Sequence, residues 1–165
     1  MKLIAEKLGK SDKHDRLRFV RADGSETQTA MPRQGTLPHD LVHYVVESAL
    51  PLRHGFMSLV ASGSDAGFVM RAVHDPANQT VATEAIQIEA VVEALQTQLW
   101  GGFFDPGAFI DGATSASAAR GKAPFDFAGI DPQARLYDSA LALLERWIQV
   151  PYHQSLELSF VRGKV

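Results

Sequence analysis

Apolar and polar positions change their period twice along this chain. Leu17 and Phe19 alternate with Arg16, Arg18 and Val20, the period of two that marks a half-buried strand. Asp23-Gly24-Ser25 is a turn signal before a second extended run, Glu26 to Met31, so a hairpin is predicted. Lys2 to Leu8 reads as a further strand. Near the other end Leu156, Leu158 and Phe160 fall on one face while Glu157, Ser159 and Val161 fall on the other. Residues 154–163 are therefore expected to return to the same sheet.

Between these ends the period lengthens to about 3.6. Thr36 is placed to cap a helix with Pro38 in its first turn, where a missing N–H costs little, and this helix should run to about Leu50 before Pro51. Phe56, Leu59 and Val60 mark a short second helix ending near Gly63. Over 82–100, Ile88, Val91, Val92, Leu95 and Leu99 share a face, and Gly101-Gly102 can terminate that helix. Asp131-Pro132 opens a fourth, which carries Leu136, Ala140, Leu143, Leu144 and Trp147 inward until Pro151. From 101 to 129 the period is lost in a run rich in Gly, Ala, Ser and Asp, read as one long loop whose phenylalanines pack down its ends. The predicted fold is α+β: a largely antiparallel sheet of three to four strands from both termini, packed on one face by about four helices. All of it falls in a single domain over 1–165, with a β region at 1–33, helices within 36–100, the loop at 101–129, a helix at 131–150 and a final strand at 154–163.

Composition narrows the chemistry. With 45% hydrophobic and 21% charged residues, the chain lies outside the disordered class. It contains no cysteine, which excludes disulfides, thiolate metal sites and cysteine nucleophiles, so any metal must rest on His, Asp, Glu or backbone oxygen. No stretch approaches a membrane span and no apolar leader follows Met1, so a cytoplasmic protein is expected. Residues 1–33 carry eight Lys/Arg against five Asp/Glu, and residues 34–165 carry eight against fourteen. The resulting +3 and −6 argue against nucleic acid as a partner, which would need a concentrated basic footprint. A small molecule or another protein is the partner class left open.

The densest chemistry lies in His39-Asp40-Leu41-Val42-His43 with Glu47 beyond it. On a helical wheel with His39 at zero, His43 falls at roughly 40°, Glu47 at roughly 80° and Asp40 at roughly 100°. The apolar residues of the same helix span roughly 200–340°, so the polar stripe borders the face that should be buried. Imidazoles at i and i+4 can place nitrogens on one cation, most readily zinc, and Glu47 could be a third ligand or could orient His43. The pentapeptide resembles the zinc-hydrolase helix pattern H-E-x-x-H, with Asp40 standing where that pattern has glutamate. The resemblance implies a divalent metal on His39 and His43 and a catalytic-base role for Asp40 in metal-assisted hydrolysis. The longer stretch Met31-Pro32-Arg33-Gln34-Gly35-Thr36-Leu37-Pro38-His39-Asp40-Leu41-Val42-His43-Tyr44-Val45-Val46-Glu47, with Leu52-Arg53-His54-Gly55-Phe56 after it, resembles a segment of uncharacterised bacterial proteins, which implies no function.

His54 could fold back toward His39 as an extra ligand. Glu89 and Glu93 border the apolar face of their own helix and could face the His stripe across a groove, or form a solvated edge. His14-Asp15 and His74-Asp75 read as loop residues, and His153 as the start of the last strand. Against the metal reading stands a structural one. The helix dipole alone favours Asp40 in a first turn, and His43 with Glu47 is an ordinary i,i+4 pair. A further alternative is a non-catalytic binding module whose Arg16 and Arg18 give the sheet a basic face for an acidic partner.

Overall fold

The computed structural model describes residues 1–74 and 82–161. Four strands, β1 (Lys2–Glu6), β2 (His14–Val20), β3 (Glu26–Pro32) and β4 (Ser155–Ser159), form one antiparallel sheet in the order β3-β2-β1-β4. Leu3 stands opposite Phe19 and Leu158, and Ala5 opposite Leu17 and Leu156. This register puts the alternating apolar residues of all four strands on a single face. That face, with Met31 of β3, is buried under the helices, as the α+β reading predicts.

The other face carries Arg16 and Arg18, but it is not basic. Arg16 pairs with Glu6, Arg18 with Glu6 and Glu26, and Lys2 with Glu157. Cross-strand register sets each cation beside a carboxylate. His14 and Asp15, expected in a loop, begin β2; Asp15 is buried and receives Arg33 in a two-pronged ion pair.

The helical layer comprises α1 (His39–Ala49), α2 (Phe56–Ala61), α3 (Ala66–His74), α4 (Thr83–Gly101), α5 (Pro106–Ala119) and α6 (Asp138–Gln149), and a π turn over Gln133–Tyr137 leads into α6. It exceeds the expected four helices by α3 and α5. The segment read as a loop, 101–129, contains the fourteen-residue α5. Asp105 caps it by accepting from Ala108 N–H, and Pro106 occupies its first turn. Its buried positions Phe109, Ala113 and Ser117 are a narrow row of mainly small side chains, so the usual large-apolar stripe is missing. Gly102 at φ 76° ends α4 in the left-handed cap foreseen for the Gly-Gly pair. The cap expected from Thr36 is not made; the chain enters α1 from Pro38 without a side-chain cap. His74 closes α3, and its side chain and Asp75 lie outside the described residues. His153 sits in the turn before β4. Among the described residues no helix is long and apolar enough to cross a membrane.

Candidate metal centre

Helix α1 is enclosed by neighbours on most of its circumference, which changes the character of its polar stripe. His43 and Glu47 are fully buried and Asp40 nearly so, while His39 keeps about a quarter of its side chain exposed. The stripe therefore lies inside the protein rather than along a rim. Solvent reaches it past His39.

Packing of α4 against α1 brings Glu89, itself buried, to the two imidazoles. Its carboxylate stands 2.9 Å from His43 Nε2 and 4.0 Å from His39 Nε2. One ligand atom from each of His39, His43 and Glu89 lies within 4.8 Å of the others. Ligands at about 2.0–2.1 Å from a tetrahedral ion stand roughly 3.4 Å apart, and the two Glu89 distances bracket that separation. The imidazole rings meet edge to face at 4.9 Å, and Phe56 closes the far side of His43 at 5.5 Å.

The remaining ring nitrogens are engaged by anchored acceptors. Gln96, seven residues beyond Glu89 on the same face of α4, donates its amide N–H to Leu37 O at 3.3 Å. That bond fixes the amide orientation, so Gln96 Oε1 must accept from His39 Nδ1 at 2.9 Å. His43 Nδ1 lies 3.3 Å from Glu47 Oε1. Glu47 in turn accepts from Met57 N–H at 3.0 Å and Ser58 N–H at 3.1 Å, the free amides of the first turn of α2. Both imidazoles thus hold a proton on Nδ1 and turn Nε2 toward Glu89, the arrangement that outer hydrogen bonds impose on metal-bound histidines.

The contact of His43 Nε2 with Glu89 is short but off the ideal hydrogen-bond line. A lone pair and a carboxylate oxygen that close repel one another unless a proton or a cation lies between them. Without a metal, the proton resides on His43. Burial by itself would lower the His43 pKa, but Glu89 and Glu47 outweigh burial and raise it from 6.5 to about 10.

Of the residues the sequence singled out, His39 and His43 converge, and Glu47 sits beside His43 as its hydrogen-bond partner rather than among the three converging side chains. Asp40 is buried on the same helix but does not join the group. His54 is exposed and pairs with Glu84 at 2.7 Å, and is not among the three side chains that converge. Glu93, on the next turn from Glu89, pairs with Arg120 on the surface, and only the first of the two glutamates faces the stripe. Gln96 escaped the sequence reading. Its spacing of one heptad from Glu89 is the signal that marks it, because residues seven apart share a helix face.

Comparison of the chain with protein-family models, with curated proteins and with solved structures found no match, so the reading of the site rests on its geometry.

Proposed function

We propose that the chain binds a divalent transition-metal ion, zinc foremost, through His39, His43 and Glu89, and that the site supports hydrolysis of a small substrate. The observation that carries this reading is the pair of Nε2 atoms facing one buried carboxylate, with both Nδ1 atoms already committed to Gln96 and Glu47. Two histidines and a glutamate form a donor set used by catalytic zinc, which keeps a further position for water or substrate. Imidazole with carboxylate also suits iron and manganese. A bound cation would lower the pKa of water in that open position toward neutrality and polarise a carbonyl or phosphoryl group.

The chain's own residues divide the work. His39, at the exposed edge, would meet the incoming ion first, and His43 and Glu89 would hold it at depth. Glu47 and Gln96 would keep both rings turned. Within the four charged or ligating side chains His39, His43, Glu47 and Glu89, two carboxylates and two neutral imidazoles sum to −2, which a divalent ion cancels. A protonated His43 alone would leave −1.

The short contact of His43 with Glu89, together with its link to Glu47, also favours a second reading in which an imidazolium between two carboxylates is a structural device of a non-catalytic protein. Elemental analysis separates the two. Untagged wild-type protein purified without chelator, or reconstituted with zinc, should carry near-stoichiometric metal, and His39→Ala/His43→Ala should carry none while remaining folded. Wild-type protein that stays metal-free after reconstitution would leave the structural reading standing.

A further inference from the structure

On the side of α1 away from the His stripe, a trough of about 500 Å³ separates α1 from α6, within the range of small-molecule sites. Ser48 of α1 and Ser139 of α6 supply hydroxyls to its walls, Tyr44 lines it with its ring while its hydroxyl donates to Ser159 O at 3.3 Å, and Val45, Ala49 and Leu143 supply an apolar floor. Arg135 stands at one end of the α6 wall and Arg146 toward the other. They are eleven residues apart, about 16 Å along a helix.

Neither guanidinium is engaged by a hydrogen bond or an ion pair among the described residues, although residues 34–165 carry six more acids than bases and Asp138 and Glu145 lie on the same helix. Arg16, Arg18, Arg33 and Arg120, by contrast, have carboxylate partners, and Arg21 is held by Ser25 and backbone carbonyls; the exposed Arg53 shares the state of the trough pair. Residues eleven apart fall within about 20° of each other on an α-helix, so the two cations share a face. Arg135 also lies within the π turn, whose hydrogen bond runs from Asp138 N–H to Gln133 O, and such turns recur at functional sites.

We propose that the trough binds an elongated small molecule with an anionic group at each end, one held by Arg135 and the other by Arg146, its apolar middle lying on Val45, Ala49 and Leu143. The guanidinium fork matches carboxylate or phosphate in a two-pronged geometry. The separation of the two forks selects length. The hydroxyls along the walls admit polar substituents on the middle portion. This site is independent of the metal centre, and its test does not depend on metal content.

The probe is disodium decanedioate, an unbranched ten-carbon diacid, titrated into the full chain with backbone amide shifts recorded by NMR. Saturable shifts confined to α1, α6 and the π turn are expected, with decanoate and inorganic phosphate each at least tenfold weaker. Arg135→Ala and Arg146→Ala should each weaken decanedioate tenfold or more. Both side chains are exposed, so the variants should keep the wild-type melting temperature. Absence of saturable shifts up to about 10 mM, equal binding of diacid and monoacid, phosphate binding as tightly as the diacid, or indifference to either arginine would each overturn the proposal.

Discussion

Replacing Gly55 with alanine tests the support of the candidate site through one methyl group. Gly55 has φ −83° and ψ 178°, a conformation open to any residue. Backbone entropy alone would then make alanine stabilising by about 0.4–1 kcal/mol. The space is closed, however: an added Cβ would overlap the Glu47 carboxylate and approach Ile88 Cδ1 closer than nonbonded atoms allow. Relief requires Glu47 to withdraw from Met57 and Ser58 N–H. Overpacking costs about 1–3 kcal/mol, and weakening a hydrogen bond to a charged acceptor costs about 1.5–3 kcal/mol. After the entropic gain is subtracted, a net loss of about 1.5–5.5 kcal/mol is expected. With a urea slope of roughly 2 kcal/mol/M, the unfolding midpoint should fall by about 1–3 M. A Gly55→Ala variant as stable as wild type, or more so, would refute the packing of Glu47 against the opening of α2.

Gln96→Leu should leave the fold intact but reduce zinc affinity about 10–100-fold, the usual effect of losing an outer hydrogen-bond partner of a ligand, measured by competition with a chromophoric chelator. The His43 value of about 10 in place of 6.5 has a defined sign in metal-free protein. A raised folded-state pKa contributes stability that is full below 6.5 and lost as pH rises through about 10, so urea midpoints should decline across that window and the decline should flatten in His43→Gln. Asp131 Oδ1 accepts from Gln133 and Ala134 N–H; Asp131→Ala should cost about 1 kcal/mol of unfolding free energy, and an unchanged denaturation curve would contradict the cap.

Where large apolar residues recur with a clear period, the chain's structure is legible in its sequence. Leu17 and Phe19 mark β2, the Ile88 to Leu99 row marks α4, and Asp131-Pro132 marks the start of the last helical stretch. Helix α5 is hidden because it packs through small residues: a Cβ at Gly112 would meet Ala94 Cβ at 3.5 Å, an ordinary contact between small groups that no hydrophobic period reports. Its opening, Asp105-Pro106, nonetheless repeats the cap-and-proline signal of Asp131-Pro132. At the site, the i,i+4 spacing of His39 and His43 is local information and could be read directly. The choice between Glu47 and Glu89 as third ligand is not local. It depends on the rotation of α4 against α1, and on α2 offering its first amides to Glu47.

Calorimetric titration of metal-free protein with zinc, comparing wild type, Glu89→Gln and Glu47→Gln, tests the assignment most directly. The account predicts one high-affinity site in wild type that strengthens with rising pH as His43 gives up its proton, its loss in Glu89→Gln, and a weakening of about 10–100-fold in Glu47→Gln. Zinc uptake indifferent to Glu89→Gln, or no uptake by wild type, would contradict it.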